Sequence, residues 1–131
     1  ESTGKALDQL VSSGIRASLF VDPDEASIQA AADIGADAVE LHTGEYANAT
    51  TGTRTEEISR LRRASALAKE LGISVHAGHG LTYENVSPIA SIPEIEELNI
   101  GHSIVARSVF TGLERAVRDM AKIIRQARLK A

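Results

Sequence analysis

The chain has 131 residues, 43% hydrophobic and 24% charged, which is enough for one domain with its own core and unlike a disordered sequence. A net charge of −4, 3% aromatic content and the absence of tryptophan exclude the basic, base-stacking surface of a nucleic-acid binder. Cysteine is absent, which removes disulfides, thiol nucleophiles and cysteine-held zinc, and no apolar run approaches the roughly 18 residues of a membrane span.

Leu7, Leu10 and Val11 mark a first helix that Gly14 ends, and Arg16 to Val21 reads as a strand. Asp22 caps the next helix, with Pro23 in its first turn and Glu25 reaching back. Ile28, Ala31 and Ala32 give that helix its apolar face, and Gly35 stops it. Ala36 to Leu41 is a second strand, followed by a polar loop from His42 to about Gly52. Thr53 and Glu56 form a capping box for the longest helix, whose stripe is Ile58, Leu61, Ala64, Ala68 and Leu71. After Gly72 comes a third strand, Ile73 to Ala77, then a glycine loop and a short helix at Val86 to Ala90. Pro93 opens the last strand, Ile95 to Ile100, and Gly101-His102-Ser103 starts a short helix at Ile104 to Val109. A second capping box, Thr111 to Glu114, begins a terminal helix striped by Leu113, Val117, Met120, Ile124 and Ala127.

Four strands, each followed by helix, predict an α/β fold with a parallel sheet and right-handed crossovers, in one domain over residues 1–131. Two architectures satisfy that pattern: an open doubly wound sheet, or half of a (β/α)8 TIM barrel with extra short helices. No Gly-x-Gly-x-x-Gly joins a strand to a long helix, which weakens the dinucleotide-binding version of the first. In both, ligands gather at the carboxyl ends of the strands.

Those ends hold an unusual set of side chains: Asp22; Glu40, His42, Thr43 and Gly44; His76 and His79; Asn99, Gly101 and His102. His79 stands between Gly78 and Gly80, an imidazole beside bare backbone that can exchange protons near neutral pH, although such pairs also simply end strands. Glu40 shares a strand face with Ala38, and there it either forms a structural ion pair with Lys or Arg or serves a ligand. His42 fits a turn-capping role and His76 a packed one. At Gly101-His102-Ser103 the outward N–H groups of a helix start suit phosphate, and Gly80 can add a donor; a plain strand-to-helix turn is the alternative. The histidines lack metal-ligand spacing, so no metal site is expected.

Ser18-Leu19-Phe20-Val21-Asp22, Glu40-Leu41-His42-Thr43-Gly44 with Tyr46-Ala47, Ala77-Gly78-His79-Gly80-Leu81-Thr82-Tyr83, and Glu97-Leu98-Asn99-Ile100-Gly101-His102 follow one another at successive strand ends. In these motifs, and over nearly its whole length, the chain resembles the carboxyl-terminal half of the pyridoxine 5'-phosphate synthase family. The resemblance implies a (β/α)8 barrel with added helices, in homo-oligomers built from dimers, commonly octamers. It implies condensation of 3-amino-2-oxopropyl phosphate with 1-deoxy-D-xylulose 5-phosphate to pyridoxine 5'-phosphate, phosphate and water, with no metal or organic cofactor. By motif, His79 corresponds to a general acid, Glu40 to a carboxylate that stabilises transition states, and Gly80, Gly101 and His102 to phosphate binders.

That family's first half supplies another histidine, a glutamate and substrate-gripping arginines, and none of these is here. The chain is therefore expected to be a segment of a longer one, inactive without the amino-terminal half of the barrel. The other readings are a different phosphate-sugar barrel performing isomerisation or aldol chemistry, and a fragment that only binds phosphate ligands. Glu1 to Lys5 carries no signal-peptide pattern, so the expected location is the cytoplasm, with no membrane or nucleic-acid partner.

Overall fold

Four strands and seven helices run through residues 2–130, the residues described by the computed structural model of the chain. In order they are α1 (Ser2–Ser12), β1 (Ser18–Val21), α2 (Glu25–Asp33), β2 (Ala38–His42), α3 (Gly44–Asn48), α4 (Arg54–Glu70), β3 (Ser74–Gly78), α5 (Val86–Ala90), β4 (Ile95–Asn99), α6 (His102–Thr111) and α7 (Leu113–Arg128). Each expected strand is present within two residues of its expected bounds.

The strands form one parallel sheet in the order β1-β2-β3-β4. A doubly wound sheet reverses its order at a switch point, which sends helices to both faces. A monotonic order with right-handed crossovers keeps them on one face, as barrels do. The side chains agree. Leu19, Val21, Val39, Leu41, Val75, Ala77 and Ile95 belong to a single core with the helices. Burying Val39, Leu41, Val75 and Ile95 contributes about 1.5–3 kcal/mol apiece. The opposite face carries Phe20, Glu40, His42, His76, Glu97 and Asn99, all half-buried or exposed, with Phe20 57% exposed. This is an α/β fold consistent with half of a TIM barrel.

A bulge in β4 sets those faces. Val75 pairs with Ile95 but His76 pairs with Glu97, so Glu96 is an extra residue. Ile95 and Leu98 therefore both face the helices, while Glu97 and Asn99 face the open side.

Several local expectations are corrected. The cap of α2 is Asp24, not Asp22: its carboxylate accepts from the Ser27 N–H and hydroxyl, both at 2.9 Å. The Asp22 carbonyl instead accepts from the Asp24 N–H, closing a turn around Pro23 that delays the helix. Neither Thr-x-x-Glu capping box forms. Thr53 lies near helical geometry with its hydroxyl toward Thr50, and Gly112, at φ 82°, is the hinge that separates α6 from α7. The Thr111 hydroxyl donates to the Arg107 carbonyl, and Glu114 pairs with Arg118.

The expected loop after β2 contains α3, anchored by the buried Tyr46 ring. On α4, Leu71 is exposed and Ser65 is buried in its stead, its hydroxyl donating to the Leu61 carbonyl at 2.8 Å. On α7 the buried residues are Ala116, Met120 and Ala127, whereas Leu113 and Val117 are exposed beside Val105, Val109 and Phe110 of α6. Small Ala116 lets Tyr83 reach it, the phenol donating to its carbonyl at 2.9 Å. Among the described residues, no helix is long and apolar enough to cross a membrane.

Candidate active site

Parallel pairing brings the carboxyl ends of all four strands to one rim. Glu40 pairs laterally with Phe20 on one side and His76 on the other, and His42 pairs with Gly78. His42, Thr43, His79, Asn99, Gly101 and His102 therefore stand on, or just past, the same edge, with Glu40 and His76 two residues inside it.

His79 leaves β3 with φ 76°, the one non-glycine among the described residues in left-handed geometry. That conformation costs about 1–3 kcal/mol and persists where surrounding structure enforces it, commonly at functional sites. Gly80 follows at φ 77°, and a Cβ there would lie 2.7 Å from the Ala47 Cβ. Two consecutive residues at positive φ make a sharp turn where β3 ends, and His79 is exposed there. The turn is tied to the segment before α5, where the Asn85 side chain accepts from the Thr82 N–H at 2.7 Å and donates to the Gly80 carbonyl at 3.0 Å.

Glu40 is half-buried, and its partner is an amide rather than Lys or Arg: Asn99 donates to its Oε2 at 2.8 Å. An amide orients a carboxylate without neutralising it, which leaves its charge for whatever occupies the rim. The structural ion pair allowed by the sequence is not formed among the described residues.

A cavity of about 460 Å³ lies between the β3 and β4 loops, lined among others by His79, Gly80, Asn99, Gly101, His102 and Ser103. His79 and the start of α6 thus open onto one space. Gly101 stands immediately before α6 and lines the cavity, and a Cβ built on it meets nothing within 4 Å. The first N–H groups of α6 have no carbonyl partner within the helix and carry partial positive charge. His102, exposed, adds an imidazole at the same point, and the Ser103 hydroxyl fastens the helix start to the Leu81 carbonyl at 2.8 Å.

Two further aromatic groups border His79. The His42 ring lies 4.9 Å from it between centroids, and Phe20 lies 5.2 Å from His42 and 6.5 Å from His79. His42 Nδ1 stands 3.6 Å from the Asp22 carboxylate. Sequence reasoning gave His42 a turn-capping role; here it is part of the wall around His79. His76 sits between Glu40 and Glu97 on the open face, two pairs below the rim. A hollow of about 500 Å³ lies elsewhere, between Pro23 and α4. Its Arg60 is already taken by Glu45, Glu57 and the Pro23 carbonyl.

Asn99 and Thr43 stand among the strand-end residues that the sequence points to, but it assigns them no role. Each was visible as a polar residue at a strand end, but neither carried a signal for its partner.

A family model described as pyridoxal phosphate biosynthesis protein PdxJ matches residues 1–126. A protein named pyridoxine 5'-phosphate synthase from a Sulfurihydrogenibium species is 58% identical over 115 residues, 88% of this chain and 47% of its own length. Proteins of the same name from a Synechococcus species and from Magnetococcus marinus are 52% and 54% identical, over 98% and 93% of this chain and 51% of each relative. The chain spans about half the length of the curated relatives it matches.

Proposed function

The chain belongs to the family of pyridoxal phosphate biosynthesis protein PdxJ, and on that premise we propose that it forms the carboxyl-terminal half of a pyridoxine 5'-phosphate synthase. The assembled enzyme condenses 3-amino-2-oxopropyl phosphate with 1-deoxy-D-xylulose 5-phosphate, releasing pyridoxine 5'-phosphate, phosphate and water in the cytoplasm. The observation that carries this reading is the shared cavity of about 460 Å³ between His79-Gly80 and Gly101-His102. A phosphorylated molecule seated there meets anion-binding amides at one end and an imidazole at the other.

In this reading the amides around Gly101 and Gly80, with His102, hold the phosphate of the amino ketone. His79 acts as general acid, returning protons to the oxygens that leave as water, a task suited to an imidazole. Glu40, oriented by Asn99, stabilises the positive charge that develops on nitrogen as the carbonyl condenses to an imine. Other catalytic groups come from the complementary half of the barrel. The enzyme assembles as a homo-oligomer built from dimers, a proposal supported by exposed Val105, Val109 and Phe110 on α6. Sedimentation of the assembled enzyme as a monomer would contradict it.

The test is made on the assembled enzyme with both halves present. His79→Ala is expected to lower product formation by about 10²–10⁴-fold while phosphorylated substrate still binds. Gly101→Leu, which places a bulky side chain at the cavity's lining, is expected mainly to raise KM for the amino-ketone phosphate. Unchanged steady-state kinetics in both variants would remove the assignment.

A further inference from the structure

We propose that Thr43 is the positioning residue for His79, its buried hydroxyl holding the imidazole in the one backbone geometry that presents it to the strand-end cavity. The inference rests on His79 being the reacting group, as set out under the proposed function.

Thr43 is fully buried at the end of β2. Its Oγ1 lies 2.7 Å from the Gly78 carbonyl oxygen and 2.6 Å from the His79 carbonyl oxygen, so a single hydroxyl donor is shared between the two. The first carbonyl belongs to the peptide plane before the His79 Cα and the second to the plane after it. Holding both planes fixes the two torsions of that residue, which is the one left-handed non-glycine among the described residues. Released from this tie, a histidine relaxes toward negative φ and its side chain leaves the rim.

Joining β2 to β3 does not require the hydroxyl. The Thr43 N–H already donates to the Gly78 carbonyl at 2.9 Å, a backbone link that survives any substitution of the side chain. What the hydroxyl adds is the contact to the His79 carbonyl. The next residue serves the same end by its size, since a Cβ on Gly44 would lie 2.7 Å from the His42 ring and 3.2 Å from His79 Cδ2. Thr43-Gly44 therefore fixes the backbone of His79 and leaves room for its ring against His42.

Thr43→Val and Thr43→Ser are compared in the assembled enzyme, with His79→Ala alongside. Valine keeps the shape and removes the donor; serine keeps the donor. The expected result is a kcat reduced about tenfold or more in Thr43→Val, with KM for the amino-ketone phosphate changed less than about threefold. Serine is expected to restore kcat to within about threefold of the parent. Native kcat in Thr43→Val overturns the proposal, as does a Thr43→Ser enzyme as slow as Thr43→Val. If Thr43→Val does not fold, Thr43→Cys, a weak donor of similar size, is read in its place by the same criteria. An inactive His79→Ala beside a fully active Thr43→Val refutes the positioning role alone. A fully active His79→Ala refutes the site reading and the positioning role together.

Discussion

Gly78 is required by its neighbours, not by its own torsions. A Cβ there would lie 2.1 Å from Glu40 Oε1 and 3.0 Å from the Asn99 carbonyl oxygen, and the second of these is backbone that cannot swing aside. Gly78→Ala must therefore drive the Glu40 carboxylate off the Asn99 amide. Displacements of about 1 Å cost about a hundredfold in rate, so kcat of the assembled enzyme is expected to fall on that scale; kinetics unaltered by the extra methyl would show that Glu40 has no fixed seat. Asp24 supports a prediction about pH. Hydrogen bonds from the Ser27 N–H, first, and from its hydroxyl hold the Asp24 carboxyl below its ordinary 3.8. The folded state thus favours the carboxylate, and the cap's contribution is complete above about pH 4 and lost as pH falls through the lower folded value. Asparagine caps without titrating. The stability difference between the parent and Asp24→Asn, followed by urea denaturation, is expected to shift against the parent as pH drops below 4; a constant difference would show the carboxyl to be unlinked to folding. At this scale the turn at His79 was legible because its flanking glycines are a local signal. Its tie to Thr43, 36 residues away, and the Glu40–Asn99 bond, across 59, depend on strand pairing that no local pattern encodes.

Elements were more legible than their ends. All four strands follow from short apolar runs bounded by turn residues, whereas the capping boxes at Thr53 and Thr111 match a motif but lose to competing bonds with Thr50 and Arg107. Strict alternation from Ile95 would put Asn99 on the helix side; the extra residue at Glu96 undoes that, so the partner of Glu40 was hidden by a bulge. Helix α3 was hidden for another reason. Its five residues are too few to show a helical period, and tertiary packing stabilises it. Tyr46 is the anchor: its ring is buried and its hydroxyl donates to the Asn85 carbonyl at 2.6 Å. Burial raises its phenol above the ordinary 10.0, so the donor keeps its proton. Because Asn85 also holds the Gly80 turn, the bond couples α3 to the loop that carries His79. Tyr46→Phe is expected to destabilise the protein by about 1 kcal/mol, as a downward shift in the urea midpoint with the slope unchanged. A midpoint equal to the parent's would mean that the carbonyl finds water instead.

On the scale of the whole molecule, the sheet is finished on one side only. Helices cover the face of Val39, Leu41 and Val75, while Phe20, Glu40, His42 and His76 stand uncovered on the other. A parallel sheet is normally covered on both faces, and its outer strands β1 and β4 here each have a single neighbour. Closing the sheet with four more strands removes both edges and encloses the open face, which then becomes the inner wall of a barrel. Inside a barrel, Glu40, His42 and His76 would face the interior rather than solvent. The sequence resemblance and the one-sided packing reach this point independently, since neither the strand order nor the exposure of Phe20 depends on any motif. On the proposed reading catalysis draws on both halves of the barrel, and the expectation to be tested is that they need no covalent link. Residues 1–131 mixed with a separate polypeptide carrying the complementary half of the barrel are expected to form pyridoxine 5'-phosphate, and each alone is not. The Phe20 environment is expected to change on mixing, read as protection of the β1 and β4 backbone amides from hydrogen exchange. Full turnover by residues 1–131 alone, at a sedimented mass of 13.9 kDa, would show that the open face is already complete and that the second half contributes no chemistry.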